Sequence, residues 1–411
     1  MIPQRSGRSD GRSRPHLQSG PMPTTQASQP SSDATREIGE RPLSLAFLAD
    51  PNSIHTRRWV GWFAARGHRV TMLVPEGLAL DAGLPDSIAV EPFTPYTSSR
   101  FHLLGAIRAR RSLGRALRRI EPDILHAHYL TGHGWHARMS GFRPYAITVW
   151  GNDILITARS TRRGRLYARW SLGPAGLVTG DSNELVRAAV AAGARADRTH
   201  LIQFGVDTAR FSPGPDPAAL RARFGLVGRR VIFSPRSIAP LYRHDVVLDA
   251  VAGLPADVCV VMTRYLARES EVEALQRRAA ELGLSDRMVI VPKVAHDEMA
   301  DIYRLADVVV SVPFTDGTPV TLLEALSTGR PVVATDLPSV REWLGDLDPG
   351  SLVPVGDVAA TARAIAAALI RPADEQADLA RRGRQLSEER AGHDRNMASA
   401  ETLYRDLLRR P

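Results

Sequence analysis

The chain has 411 residues, enough for two domains of ordinary size, and a net charge of +9 that is carried by arginine. Its single cysteine, Cys259, excludes internal disulfides and is typical of a reducing compartment, while Lys293, the only lysine, does not belong to a Walker-type phosphate loop. No apolar run approaches the ~20 residues that a membrane-spanning helix needs, and the first residues lack the apolar core of a signal peptide, so we expect a cytoplasmic protein.

Residues 1–41 are rich in serine, proline, arginine and glutamine and contain few large apolar side chains. Such a segment cannot offset the entropy lost on ordering, so we expect a disordered tail. Its arginines are interrupted by acidic residues, namely Asp10, Asp33, Glu37 and Glu40. No dedicated nucleic-acid-binding arm, and no nucleic-acid partner, is therefore predicted.

From residue 42 onward, short apolar runs alternate with segments of helical periodicity. In the first half the predicted strands are 43–48, 69–74, 88–90, 123–127, 145–149, 176–179 and 200–202. The predicted helices are 54–66, 101–119, one that begins at Leu130, and 183–192. This alternation predicts βαβ units in a doubly wound, Rossmann-like domain over 42–208.

The loop at 50–55, after the first strand, lies where a ligand could meet the sheet. His55, Arg57 and Arg58 occupy the first turns of the helix that this loop opens. Each is individually more typical of a solvated surface. Among them, His55 is a candidate contact for an acceptor or a sugar.

Two arginine-rich segments also belong to the first half. The helix at 101–119 carries six arginines and the segment 159–169 carries five, each beside apolar side chains. Such segments can bind an anionic membrane surface, although an ordinary surface helix of an arginine-rich protein has the same pattern. Peripheral contact with the inner membrane face therefore stays one of two interpretations.

Two of the predicted strands run into polar residues: His126 and His128 at one, and Trp150, Asn152 and Asp153 after the next. Two histidines at i and i+2 on a strand point to the same face, as two metal ligands would. No third ligand is evident nearby, so we predict no metal site and expect at least one ring to face a cleft. All five residues are candidate ligand contacts.

Proline and glycine concentrate over 205–215, which indicates a domain boundary. A second alternating series follows, with strands predicted at 231–234, 257–262, 288–291, 308–311, 332–335 and 351–353. The predicted fold class is α/β, with Rossmann-like, doubly wound domains over 42–208 and 209–389 that face each other across a cleft. A terminal helix within 390–411 is expected to pack back on the first domain.

In the second domain, the loop after the strand at 308–311 opens a helix with Gly317, Thr318 and Pro319. Proline suits the first helical turn, where it costs no hydrogen bond. The free backbone N–H groups of that turn attract anions and polar ligand oxygens. The loop is therefore a candidate ligand cradle.

Asp316, on this loop, and Glu324, two turns into the helix, are spaced so that both can face one cavity. Spacing alone equally fits a turn residue and a solvated helix charge. Glu324, however, lies within the almost wholly apolar segment 322–326, where a carboxylate is costly to bury without a partner. A sugar hydroxyl is one candidate partner.

Over residues 43–409, these motifs together resemble the family-four retaining glycosyltransferases with the two-domain GT-B fold. The match is carried by the acid-x7-acid motif from Asp316 to Glu324 and the segment after it, 205–207 with 211–213 at the domain junction, the strand with His126 and His128, and the terminal segment 394–404.

The resemblance implies a hexosyltransferase-like enzyme that moves a sugar from a nucleotide-sugar donor with retention, without a metal or cofactor. The donor would be held at its ribose by Glu324, and at its sugar and diphosphate by Gly317, Thr318 and Pro319. Arg236, which follows the strand at 231–234, would neutralise the diphosphate.

The catalytic residues that the resemblance implies are His128 (with His126 as the alternative), Asp316 and Arg236. The acceptor, a glycan or a lipid-linked molecule, would lie against the first domain.

Three departures from the family pattern matter. Asp316 stands where many relatives have glutamate, and Arg243, two positions further from Arg236 than usual, stands where they have a donor-binding lysine. The loop at 50–55 replaces a glycine-rich turn. These departures keep open a catalytically decayed nucleotide-sugar-binding protein on the same fold. A dehydrogenase is disfavoured, because no Gly-x-Gly-x-x-Gly follows the first strand.

Overall fold

The computed structural model describes residues 41–81, 83–96, 102–264, 267–292, 294 and 296–410. The predicted tail lies outside the described residues except for Arg41, and Lys293 lies outside them as well. Arg41 donates hydrogen bonds to both carboxylate oxygens of Asp123 at 2.6 and 3.0 Å.

Seven parallel strands form the sheet of the first lobe, in the order β3-β2-β1-β4-β5-β6-β7. They are β1 (Ser44–Leu48), β2 (Arg69–Pro75), β3 (Ala89–Phe93), β4 (Ile124–His128), β5 (Tyr145–Val149), β6 (Leu177–Gly180) and β7 (Thr199–Leu201). The α-helices between them are α1 (Ile54–Ala65), α2 (His102–Ile120), α3 (Trp135–Ser140), α4 (Arg162–Leu172) and α5 (Asn183–Ala191), with a short turn at Ala158–Ser160. β1, β4, β5 and β6 are buried along their whole length, as their unbroken apolar runs predict.

One predicted helix differs from the structure. The segment that begins at Leu130 is a π-helical turn, Leu130–Gly134, and α-helical geometry starts only at Trp135. Thr131 has an extended ψ of 136° and Gly132 has a φ of 78°, neither of which an α-helix accepts. The expectation of a helix from Leu130 was therefore wrong by one turn.

Six parallel strands form the sheet of the second lobe, in the order β10-β9-β8-β11-β12-β13. They are β8 (Arg230–Ser237), β9 (Val258–Thr263), β10 (Met288–Val291), β11 (Val308–Ser311), β12 (Val332–Thr335) and β13 (Leu352–Val353). The helices are α6 (Ala218–Arg223), α7 (His244–Ala252), α8 (Glu269–Glu281), α9 (His296–Leu305), α10 (Val320–Ser327), α11 (Pro338–Leu344), α12 (Val358–Leu369) and α13 (Ala373–Ala391). Two parallel sheets with flanking helices confirm the predicted α/β fold class.

The strand order reverses between β1 and β4 in the first sheet and between β8 and β11 in the second. At such a point the connections on either side leave in opposite directions, so the carboxyl ends of the two strands open a crevice. The loops that follow β6 and β11 touch each other through Asp181 and Thr318. The carboxyl ends of the two sheets therefore face each other.

The last helix, α14 (His393–Arg409), packs on the first lobe. Its Met397, Tyr404 and Leu407 are buried in the same cluster as Phe47 and Trp59. The two connections between the lobes run side by side, because Val206 pairs with Gly392 in a parallel bridge. Gly205 has a φ of 71°, and a Cβ there would lie 2.7 Å from the carbonyl oxygen of Ala391, so the crossing requires glycine.

Candidate functional site

A buried ion pair joins the two central strands of the second lobe. Arg236 lies in β8, Asp316 lies on the loop after β11, and Nη2 of the arginine is 2.7 Å from Oδ2 of the aspartate. Both side chains are less than a fifth exposed. Burial raises the pKa of Asp316, and the neighbouring guanidinium opposes that rise. The pair therefore fixes the position of the Arg236 guanidinium at the predicted donor site.

Glu324 is 9% exposed, although a helical glutamate is usually solvated. It accepts a hydrogen bond of 2.7 Å from the hydroxyl of Tyr303 on α9. Burial raises its pKa to about 7, while this hydrogen bond and the charges of Arg58 and Arg236 limit the rise. Arg58 comes from the first lobe, so Glu324 lies where both lobes contribute charge.

Tyr242, rather than Arg243, is the neighbour of Arg236. The guanidinium carbon of Arg236 lies 4.2 Å from the centre of the Tyr242 ring. Arg243 has a φ of 52° and pairs with Asp245 at 3.0 Å, with about a third of its side chain exposed. The structure therefore does not bring Arg243 onto the Arg236–Asp316 pair.

The loop of Gly317, Thr318 and Pro319 contacts the first lobe. The backbone N–H of Thr318 donates to Oδ1 of Asp181 at 3.0 Å, and the Thr318 hydroxyl donates to the Asp181 carbonyl at 2.7 Å. A Cβ placed on Gly151 would lie 3.3 Å from the Gly317 nitrogen. Backbone of the two lobes is therefore in van der Waals contact where the ligand cradle was predicted.

His126 and His128 point to the same face of the first sheet, with ring centres 4.7 Å apart, but both are only 1% exposed. The nitrogens of His126 contact the hydroxyls of Tyr404 and Thr148. Burial lowers the His126 pKa to about 3, so the ring is neutral. Its hydrogen bonds leave no ring nitrogen of His126 for a ligand.

His128 differs from its neighbour because neither of its ring nitrogens has a hydrogen-bond partner among the described residues. Its ring packs against Trp59, Phe47 and Trp150. Burial, with smaller effects from neighbouring histidines, lowers its pKa well below the ordinary value. His128 is thus a neutral imidazole whose donor and acceptor are both unused.

Asp153 organises backbone instead of facing the gap between the lobes. Its Oδ1 accepts from the N–H groups of Trp150, Gly151 and Ile154, and its Oδ2 accepts from Leu130. It is fully buried, and burial raises its pKa against those four hydrogen bonds. The carboxylate fixes the loops after β4 and β5 and is not oriented for a ligand.

The other predicted contacts in the first lobe lie near His128. Trp150 is half-buried, and its ring contacts His55 and Phe204 at 5.8 and 4.9 Å between ring centres. Asn152 is half-buried beside Gly151. His55 and His128 therefore both pack against Trp150 in one aromatic cluster.

Sequence reasoning missed several residues of this site. Asp181 follows β6 just as Trp150 follows β5, so its position at a strand end was a usable signal. Tyr303 gave none, because only packing brings α9 beside Glu324. Arg58 is half-buried rather than solvated; it donates to the Gly205 carbonyl at 3.0 Å, and its Nη2 has no partner among the described residues.

Within the described ranges, no group of three or more histidine, cysteine, aspartate or glutamate side chains could hold a metal ion. Over the same ranges, no helix has both the length and the apolarity to cross a bilayer.

Two family models cover most of the chain. The model described as "Glycosyl transferase 4-like" matches residues 44–182, and the model described as "Glycosyl transferases group 1" matches 219–386. The first range coincides with the first sheet up to Asp181 and Ser182, and the second contains Arg236, Asp316 and Glu324.

Among curated proteins, the D-inositol 3-phosphate glycosyltransferase of Streptomyces bingchenggensis is 30% identical over 319 residues, which are 70% of this chain and 67% of that protein. The protein of the same name from Mycobacteroides abscessus is 33% identical over 176 residues, 42% of this chain and 40% of that protein. The chain thus spans between two fifths and two thirds of the length of these two relatives.

Solved structures share the fold at low identity. Anabaena Alr3699/HepE in complex with UDP and glucose superposes with a TM-score of 0.73 at 22% identity, covering 88% of this chain and 99% of that one. Sucrose-phosphate synthase from Thermosynechococcus elongatus superposes with a TM-score of 0.75 at 18% identity, covering 89% and 99%.

Proposed function

The chain belongs to the GT4-like glycosyltransferases with the GT-B fold, and from this premise we propose that it transfers a sugar from a nucleotide-sugar to an acceptor with retention at the anomeric carbon. The observation that carries the proposal is the buried set of Arg236, Asp316 and Glu324 at the carboxyl ends of β8 and β11. Ionisable groups whose pKa values burial shifts, as it does those of Asp316 and Glu324, are typical of ligand sites.

In the proposed complex Glu324 accepts hydrogen bonds from the ribose hydroxyls of the donor. Its position supports this role, because Tyr303 supplies one hydrogen bond and a carboxylate can accept several more. Hydroxyl donors would also offset the cost of burying the group.

Arg236 neutralises the diphosphate and stabilises the negative charge that grows on the leaving phosphate. A guanidinium held in place by Asp316 and Tyr242 needs no reorganisation as that charge develops, which is the source of its catalytic effect. Asp316 orients this arginine and faces the donor sugar. His128, with two unused ring nitrogens, binds a sugar hydroxyl.

The relatives supply the first donor and acceptor classes to test. Structures of Anabaena Alr3699/HepE contain UDP or UDP-glucose, which makes UDP-sugars the first donors to test here. The curated relatives are named for inositol 3-phosphate, which makes a phosphorylated polyol one acceptor class.

The test compares thermal stabilisation and sugar transfer across UDP-, GDP- and ADP-sugars. A ligand that binds only the folded protein must raise its stability. We expect Glu324→Ala to lose this stabilisation and Glu273→Ala, an exposed glutamate on α8, to keep it. Unchanged donor binding in Glu324→Ala would exclude the ribose site. Binding without turnover by any acceptor would favour the decayed protein instead.

A second acceptor class, a lipid-linked molecule at an anionic membrane, is supported by two helices of the first lobe. Helices α2 and α4 carry six and four arginines and no acidic residue. The same helices expose large apolar side chains: Leu103, Leu104, Leu166 and Trp170. Basic and apolar groups together are what an anionic interface binds.

Flotation with vesicles of phosphatidylcholine, with and without phosphatidylglycerol, tests these helices. We expect binding only to the anionic vesicles, and its loss when Arg108, Arg111 and Arg115 are changed to glutamate. The same change at Arg277, Arg381 and Arg382, exposed on the second lobe, should leave binding intact. Equal flotation with both lipids would contradict the proposal.

A further inference from the structure

Two carboxylates reach across between the lobes, each to the start of a helix in the other lobe. Asp181, from the first lobe, accepts the Thr318 N–H just before α10. Glu342, from α11 of the second lobe, accepts the N–H groups of Asn183 and Glu184 at the start of α5, at 3.1 and 3.2 Å. Helix starts attract negative groups, so both contacts hold the lobes together.

The first of these contacts occupies the predicted anion cradle. Asp181 is 4% exposed, and a Cβ placed on Gly317 would lie 2.6 Å from its Oδ1. With the carboxylate this close, no phosphate oxygen can reach the Thr318 N–H. The donor and the Asp181 side chain are therefore alternatives at the same backbone N–H.

We propose that Asp181 is a gate residue: its carboxylate holds the two lobes together at the start of α10 and must leave Thr318 before the donor diphosphate enters. The proposal rests on the proposed function, because it assumes that an anionic donor group binds at the start of α10. It assigns to the first lobe a residue that controls access to a site in the second.

The closed position of the Asp181 carboxylate is electrostatically unfavourable. Asp181 has no ion-pair partner among the residues that the structure describes, and it lies near the carboxylates of Asp316, Asp153 and Glu342. Burial and these like charges act in the same direction, raising the pKa of Asp181 well above its ordinary value. The closed contact thus buries a carboxylate that accepts one hydrogen bond across the lobes, from the Thr318 N–H.

The experiment measures the dissociation constants of UDP and UDP-glucose by calorimetry. For Asp181→Ala we expect tighter binding, by about three- to tenfold, because the competing group is gone. Asp181→Asn, whose amide oxygen can accept the same N–H without the like-charge repulsion, should bind no more tightly than wild type. Weaker binding by Asp181→Ala would instead make Asp181 a donor ligand, and unchanged binding would make it a structural residue; either result overturns the proposal.

A second measurement does not depend on altering the gate. The double variant Asn183→Cys, Glu342→Cys places one thiol on each lobe at the other contact, where a cleavable bis-maleimide can join them, while the native Cys259 is buried. We expect cross-linking to abolish UDP binding and cleavage of the linker to restore it. Equal binding by the cross-linked and cleaved forms would show that the lobes need not separate.

The outcomes separate this proposal from the proposed function. Nucleotide binding by wild type with no change in Asp181→Ala overturns the gate alone. Binding by Asp181→Ala but not by wild type supports the gate in its strongest form. Absence of nucleotide binding in both overturns the gate and the proposed function together.

Discussion

The hydroxyl of Tyr303 donates a 2.7 Å hydrogen bond to Oε2 of Glu324, and neither side chain is open to solvent. The tyrosine belongs to α9 and the glutamate to α10, so the bond ties together two helices on either side of β11. It also fixes one carboxylate oxygen, and the charge of Arg58 from the other lobe acts on the same carboxylate.

Tyr303→Phe should raise the pKa of Glu324 further, because this hydrogen bond lowers it. We expect a loss of about 1–2 kcal/mol in the free energy of unfolding. Because the carboxylate form binds the ribose, UDP binding weakens as the pH falls, and in the variant this weakening should begin at a higher pH than in wild type. Tyr404→Phe is the matched control. It removes another buried tyrosine hydroxyl, bonded to Trp59 at 3.1 Å, and should cost stability without altering UDP binding. Identical pH profiles of UDP binding in wild type and Tyr303→Phe would refute the prediction.

Stability should depend on pH through Glu324, whose pKa burial raises from 4.5 to about 7. Between those values the folded protein binds more protons than the unfolded chain, so the free energy of unfolding falls as the pH rises through this window. The difference between the folded and unfolded pKa of Glu324 corresponds to about 3 kcal/mol in the free energy of unfolding. Glu324→Gln should therefore gain stability relative to wild type between about pH 4.5 and pH 7.

Urea unfolding at the two ends of that window measures the effect. The difference between variant and wild type isolates Glu324, because the other buried carboxylates, Asp153, Asp181 and Asp316, are present in both. A difference that does not change with pH would mean that Glu324 titrates normally.

Removing one partner of the Arg236–Asp316 pair should be costly, because the other charge stays buried. We expect Arg236→Met to lose about 3–5 kcal/mol in the free energy of unfolding, and the double variant with Asp316→Asn to recover part of it. Arg277→Ala, which breaks an exposed pair with Glu273, should cost less than about 1 kcal/mol. Strictly additive losses in the double variant would argue against a coupled pair.

Asp153→Ala should destabilise the first lobe without changing the donor site. Four backbone N–H groups lose their acceptor, and we expect a loss of about 2–4 kcal/mol in the free energy of unfolding. The folded variant should bind UDP with the wild-type dissociation constant. A selective loss of UDP affinity with normal stability would return Asp153 to the set of ligand contacts.

The alternation of apolar runs was enough to predict the two sheets and most strands to within a residue or two. Strand pairs such as β11 and β12 are local, and their β-branched runs have no competing interpretation. The burial of Glu324 was also predictable, because its neighbours in the sequence are apolar.

The contacts between the lobes were not predictable, because they depend on how two separately folded sheets meet. The sequence predicted a solvated Arg58, but in the fold this arginine donates a hydrogen bond to the carbonyl of Gly205, where the chain crosses between the lobes. Arg243 was predicted to replace the donor-binding lysine of the family, but it forms an ion pair with Asp245 two residues later. His126 matched the pattern for a cleft residue, yet α14 covers it from the far end of the chain.

The packing of α14 on the first lobe also affects how the protein is made. On a ribosome, residues 44–201 emerge first, but the packing around Trp59 and His126 is incomplete until Met397, Tyr404 and Leu407 have been synthesised. The second lobe, which lies entirely between these segments, can reach its final packing earlier. The half of the molecule that is translated first is thus the half whose core is completed last.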